Sequence, residues 1–161
     1  MNKYYIAYGS NMNTEAMRKR CKNAKVIDTM KLSNYRLMFN RYATIVKDSS
    51  SSVPVVIWEI SEEDEAKLDK YESFPKLYHK EYITLYINNI EINAMVYIMN
   101  DFVPIAPFKQ YFNTILSAYN QYSFDTDCLK EALAATIVIS EFYDDELCTE
   151  FVNSYFHSLD T

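Results

Sequence analysis

Two groups of residues in this sequence combine types and spacing that can do chemistry. The first is Tyr8-Gly9-Ser10-Asn11, which follows the apolar run Tyr4-Tyr5-Ile6-Ala7 and precedes a helix-forming stretch. A strand–glycine–helix junction leaves several backbone N–H groups without acceptors, pointing outward together. Such a nest takes a carboxylate, a phosphate or a developing oxyanion, and Ser10 and Asn11 add side-chain donors. Gly9 is the only glycine in 161 residues, so a steric requirement is expected there: a positive φ, or close approach of a ligand to the backbone. The plainer alternative is a tight turn with an Asn cap. The second glycine and the lysine of nucleotide-binding loops are missing, so neither fingerprint is present.

The second group is Glu72, within Leu68-Asp69-Lys70-Tyr71-Glu72-Ser73-Phe74-Pro75. A helix has to stop before Pro75, which puts the carboxylate at the negative end of a helix dipole, between two aromatic residues. Both influences disfavour its charge and raise its pKa, as suits a general base near neutral pH. Against this stands a solvated acid in a surface turn, one of 22 acidic residues.

Other reactive residue types are less well placed. His79 and His157 are the only histidines, and neither has a neighbouring nucleophile of the kind a Ser-His-Asp triad needs. Cys21 sits in Arg18-Lys19-Arg20-Cys21-Lys22, a basic setting that favours a thiolate, or it is simply a buried thiol at a helix end. Tyr111 belongs to the stripe Phe108, Tyr111, Phe112, Ile115, Leu116, Tyr119, whose spacing of three and four is that of one apolar helix face.

The elements that must position these groups follow from the patterning. Residues 3–8, 26–27, 35–39, 43–46, 53–60, 82–87 and 90–99 have the composition of strands. Asn88-Asn89 supplies a hairpin turn between the last two. Asp48-Ser49-Ser50-Ser51-Ser52 is expected to be a solvated loop. Asn11 or Asn13 caps a helix to about Cys21, and Ser61 caps one to about Tyr71 with Glu62, Glu63 and Asp64 in its first turn. Three helices close the sequence: about residues 108–122, one after Asp125 with Leu129, Leu133 and Ile137, and one at about 145–159. Strands mostly first and helices mostly last predict an α+β fold.

The length fits one domain, expected to span residues 1–161 with a core at about 4–135 and a C-terminal helical extension at about 136–161. The net charge of −6 disfavours nucleic acid as a partner. No apolar window reaches the ~18 residues of a membrane span. The N-terminal residues are too polar for a signal peptide. The three scattered cysteines suit reduced thiols in a cytoplasm and contain no paired zinc-ligand spacing. With glycine so scarce, Asn, Ser and Asp have to make the turns.

Tyr5-Ile6-Ala7-Tyr8-Gly9-Ser10-Asn11-Met12 resembles the start of the γ-glutamylcyclotransferase (AIG2-like) family, in which a Tyr-Gly-Ser-Asn loop closes the first strand. Further similar segments follow in family order: Asn34–Phe39, Ala43–Val46, Val53–Ser61, Leu68–Glu72 with Pro75 and Tyr78, Ala94–Met99, and Pro107 with Tyr111. The resemblance covers roughly residues 4–135. It implies a small mixed β-barrel of about five to seven strands, flanked by helices, with a cleft for a γ-glutamyl group. It assigns Tyr8, Gly9, Ser10 and Asn11 to binding the substrate's α-carboxylate and polarising its carbonyl, Glu72 to acid–base catalysis, and Tyr111 to substrate contact from its helix. One position departs from the pattern: the family commonly has glycine after the glutamate, and here it is Ser73. The helix at about 145–159 is likewise extra.

The chemistry so implied is an intramolecular acyl transfer that releases 5-oxoproline and a free amine or amino acid, with no metal or other cofactor. Monomer and homodimer are both compatible with it. The alternative is a non-catalytic module on the same fold that binds a small anion or a partner protein.

Overall fold

The computed structural model describes residues 1–140. The helix expected at about 145–159 lies outside the described residues. In chain order the elements are β1 (Lys3–Ala7), a 3-10 turn (Ser10–Met12), α1 (Thr14–Arg20), β2 (Lys25–Asn40), β3 (Tyr42–Ile60), α2 (Glu62–Tyr71), β4 (Tyr78–Ile87), β5 (Ile90–Met99), α3 (Lys109–Gln121) and α4 (Asp127–Ser140).

The strands form one mixed sheet in the order β2-β3-β1-β5-β4. The first strand is therefore the central one. It pairs antiparallel with β3, Lys3 opposite Ile60 and Ala7 opposite Val56, and parallel with β5 through Tyr4–Ala94 and Tyr5–Met95. A strand covered on both sides needs an unbroken apolar run rather than an alternating one, which is what Tyr5-Ile6-Ala7 provides, all three buried. The central position delivers the loop after β1 to the middle of one sheet edge.

The expected pairs of short strands at 26–39 and 43–60 are each one long strand. Pairing slips between Ser33 and Tyr35, where their partners jump from Ser52 to Lys47. Residues 48–51 thus oppose Asn34 alone. The serine run is not a free loop but an enlarged bulge. Asp48 Oδ1 accepts the Ser50 N–H at 3.0 Å and the Ser50 hydroxyl at 2.7 Å, while Oδ2 accepts the Ser51 hydroxyl at 2.8 Å. Bulges bend the strand that carries them. Beyond this one, the β2–β3 hairpin meets the end of β5, where Met99 N–H donates to Thr44 Oγ1 at 3.1 Å. The α+β class holds and the sheet is barrel-like in outline, with β2 and β4 as unpaired edges, so the backbone ladder does not close.

Asparagine does make the turns. Asn34, Asn88 and Asn89 have φ of 68°, 50° and 63°, and two successive positive φ values are what a tight hairpin between β4 and β5 requires. Asn13 caps α1 by accepting the Ala16 N–H at 3.0 Å. Ser61 and Asp64 cap α2 reciprocally, as Asp64 N–H donates to Ser61 Oγ and Ser61 N–H to Asp64 Oδ2. The helix α3 buries Phe112, Ile115, Ala118 and Tyr119, and α4 buries Leu129, Ala132 and Leu133. Thr136 on α4 accepts the Phe39 N–H at 3.3 Å, tying that helix to β2. No helix among the described residues is long and apolar enough to cross a membrane.

Candidate active site

The loop after β1 and the end of α2 face each other across a cavity of about 190 Å³. On the loop side, Tyr8 is buried and its hydroxyl donates to the Tyr97 carbonyl. Gly9 has φ −117°, so the expected positive φ is not what reserves this position for glycine. The constraint is space: a Cβ at Gly9 would lie 3.2 Å from Ala43 Cβ and 3.3 Å from the Tyr111 hydroxyl. The 3-10 turn closes through Met12 N–H to Gly9 O and Asn13 N–H to Ser10 O. No acceptor among the described residues takes the N–H groups of Gly9, Ser10 or Asn11, and these three residues line the cavity. They are the orphan donors expected at the start of a helical turn.

Opposite lies Glu72, the C-cap of α2, whose own N–H returns to Leu68 O at 2.8 Å. Ser73 then turns the chain with φ 51°, the left-handed conformation that explains a preference for glycine there. Burial pushes the Glu72 carboxyl up to about 7, and the Arg20 guanidinium partly opposes that rise. Asn11 Nδ2 donates to Glu72 Oε1 at 3.1 Å, so the two sequence motifs meet directly.

Tyr111 resolves its two competing readings by doing both. It lies on the face of α3 that packs on the core, and its ring reaches the cavity, where the hydroxyl accepts the Ala43 N–H at 3.0 Å. The Ala43 carbonyl accepts the Tyr78 hydroxyl at 2.7 Å. Burial holds the hydroxyls of Tyr5, Tyr8, Tyr78 and Tyr111 well above their ordinary pKa, so they remain neutral donors.

Sequence reasoning missed most of this tyrosine wall. Tyr5, Tyr42, Tyr71, Tyr78 and Tyr97 line the cavity from four separate elements and the β2–β3 hairpin end. The available signal was the excess of tyrosine, 15 in 161 residues, which says nothing about where the rings converge. Missed too was the support beneath Glu72. Asp69 accepts the Tyr97 hydroxyl and pairs with Lys80 at 2.7 Å, which also binds Glu65 at 2.6 Å. This network pins α2 to β4 and β5.

Two other residues fall away from the site. Cys21 is buried, and burial together with Asp64 raises its thiol to about 11, the reverse of activation by its basic neighbours. His79 bonds Asn100 at 2.9 Å and Glu81 at 3.1 Å on β4, outside the cavity. Among the described residues no three His, Cys, Asp or Glu side chains are grouped to hold a metal.

Comparison with known proteins bears on the arrangement as a whole. The sequence profile of the family described as Gamma-glutamyl cyclotransferase, AIG2-like, matches residues 5–119. A solved structure named Gamma-glutamyl cyclotransferase superposes with TM-score 0.72 at 20% identity, covering 82% of this chain and 86% of that one. An uncharacterized protein from Homo sapiens gives TM-score 0.70 at 21% identity, covering 81% of this chain and 86% of its own. YkqA from Bacillus subtilis gives 0.67 at 16% identity, covering 84% of this chain and 54% of that one. No curated protein sequence matches significantly.

Proposed function

The chain belongs to the Gamma-glutamyl cyclotransferase, AIG2-like, family, and on that premise we propose that it cleaves a γ-glutamyl amide by intramolecular attack of the substrate's own α-amine. The products are 5-oxoproline and a free amine or amino acid. The observation that carries this reading is the meeting of Glu72 with the Gly9–Asn11 loop across one partly enclosed cavity.

The loop N–H groups and the hydroxyls of Tyr5 and Tyr111, which accept within the fold and so keep their own protons to donate, receive the substrate's α-carboxylate and the γ-carbonyl oxygen. Glu72, with a pKa of about 7, takes a proton from the α-ammonium. The freed amine attacks the γ-carbonyl carbon and forms a tetrahedral oxyanion, which the loop donors stabilise as its charge develops. Collapse breaks the bond to the departing nitrogen, and protonated Glu72 returns its proton there. Over the whole reaction the attacking nitrogen sheds two protons and the departing nitrogen gains two, so Glu72 works twice: after its first proton has gone to the departing nitrogen, the ionised carboxylate takes the second from the ring nitrogen and passes it to the released amine. Because nucleophile and electrophile share one molecule, holding the chain curled supplies much of the acceleration. A second, polar hollow between α1 and α3 shares Ser10, Tyr71 and Tyr111 with the cavity and offers room for whatever the departing nitrogen carries.

The test is release of 5-oxoproline from γ-glutamyl amino acids, γ-glutamylamines and glutathione, followed by chromatography. Release from at least one supports the reading. No release from any, with binding of the same compounds retained, makes the fold a binding module instead.

A further inference from the structure

We propose that Arg20 is a positioning residue for Glu72, clamping the side-chain amide of Asn11 in the one orientation that turns its NH₂ group toward the carboxylate. This rests on Glu72 as the acid–base group and adds a residue that belongs to neither the Tyr8–Asn11 nor the Leu68–Pro75 motif.

The Asn11 side chain is not available to a substrate. Its Nδ2 lies 3.1 Å from Glu72 Oε1 and 3.1 Å from the Tyr5 hydroxyl, while its Oδ1 receives Arg20 Nη1 at 2.8 Å. An amide can satisfy this set in one direction only. Rotated by half a turn, it would set its carbonyl oxygen against the carboxylate and its NH₂ against the guanidinium, two repulsive contacts. Asn11 is 2% exposed, so water does not offer it another partner. The guanidinium thus decides which way the amide points, and the amide decides where Oε1 sits.

Arg20 is itself held. Its guanidinium carbon lies 3.6 Å from the centre of the Tyr71 ring, and the Tyr71 hydroxyl lies 3.0 Å from Ser10 Oγ. Tyr71 directly precedes Glu72, so one cation orders both the partner of the carboxylate and the residue before it. Among the described residues no carboxylate pairs with Arg20, which leaves its charge to act on Glu72. The groups facing Glu72 are Arg20 from α1, Tyr5 from β1, Tyr8 from the following loop, Tyr71 on its own helix, Tyr78 from β4 and Tyr111 from α3. Arg20 is the cation among them. A flat guanidinium can stack on Tyr71 and donate to Asn11 at once, which an ammonium cannot do equally well.

The experiment titrates the Glu72 carboxyl by ¹³C NMR in glutamate-labelled protein, with Glu72→Gln to assign the signal, in the parent, Arg20→Met and Arg20→Lys. The midpoint is expected to rise by about 0.5 pH or more in Arg20→Met, with Arg20→Lys between the two. 5-Oxoproline release is expected to fall about tenfold in kcat for Arg20→Met, its acidic limb moving with the NMR midpoint. A folded Arg20→Met with parental midpoint and kcat overturns the proposal. If that variant does not fold, a parental midpoint and kcat in Arg20→Lys does so. The titration needs no substrate, and Arg20→Lys keeps the charge that acts on Glu72 directly: a midpoint shifted in Arg20→Lys in a protein that turns nothing over sinks the catalytic reading and keeps the clamp, whereas a parental midpoint in Arg20→Lys in an active enzyme sinks the clamp alone.

Discussion

Glu72 and Gly9 are the two residues whose replacement separates chemistry from architecture. Glu72→Gln keeps the shape and the acceptor for Asn11 but removes the proton-transfer group. Circular dichroism should match the parent while 5-oxoproline release falls at least ~100-fold, the lower scale of lost acid–base catalysis. In the parent, kcat/KM should climb with pH through a midpoint near 7, since burial keeps Glu72 protonated below that value; a midpoint near 4.5 would mean that the acting carboxyl is solvated. Gly9→Ala forces two neighbours apart, Ala43 Cβ and the Tyr111 hydroxyl. Neither moves freely, because Ala43 sits in β3 and its N–H is what holds Tyr111. A stability loss of about 1–3 kcal/mol is expected from such overpacking, together with a ~100-fold loss of turnover from the displaced loop and hydroxyl. Thermal melts and kinetics on the same protein check both. Full turnover with the stability loss would make Gly9 a packing residue only.

At the scale of elements, α2 is the device that aims the acid. Its start is fixed by the Ser61–Asp64 capping box and its flank by the pairing of Asp69 and Glu65 with Lys80. Its end is the strained point, since Ser73 adopts φ 51°. A non-glycine residue there costs roughly 1–2 kcal/mol. Ser73→Gly should therefore raise the stability measured by urea unfolding by roughly 1 kcal/mol, partly offset by the greater freedom of glycine in the unfolded chain. Turnover should stay at or above the parental level, because the turn already has the geometry glycine prefers. A destabilised Ser73→Gly would show that the serine side chain contributes more than its backbone costs.

For the whole molecule, the buried acid has a thermodynamic signature. The Glu72 carboxyl has a folded-state pKa raised from 4.5 to about 7. Between those values the folded chain holds a proton that the unfolded chain has released, so the stability of the fold falls as pH rises through this window. Below pH 4.5 the group is protonated in both states and costs nothing; above 7 the whole penalty applies, on the order of 3 kcal/mol. Glu72→Gln removes this dependence. Unfolding free energies should be similar for parent and variant near pH 4.5 and diverge in favour of the variant by pH 8. Parallel curves across the range would mean that the carboxyl is not desolvated in the fold.

Local signals determined much of this protein. Caps, turns and strand composition are set by residues close in sequence, so the Ser61 cap, the Asn88-Asn89 hairpin, the helix faces of α3 and α4 and the extended run before Gly9 were legible without coordinates. Ser73 was legible as a departure from the family's glycine, while the left-handed turn that gives the departure a cost came from the fold. Tertiary structure decided everything that depends on separation. Asn11 and Glu72 are 61 positions apart, and their 3.1 Å contact exists because β1 lies mid-sheet beside β3 and β5. The serine run became a bulge because Val53 and Lys47 on either side of it were both claimed by β2. Of the two readings open for Cys21, the buried thiol at a helix end holds, because burial outweighed its basic neighbours in sequence. Gly9 was marked by its rarity, but the reason for it came from Ala43 and Tyr111, which only the folded chain brings within 3.3 Å of the added carbon. Sequence spacing encodes short-range sterics and periodicity; desolvation and contact between distant residues arise only when the chain is packed.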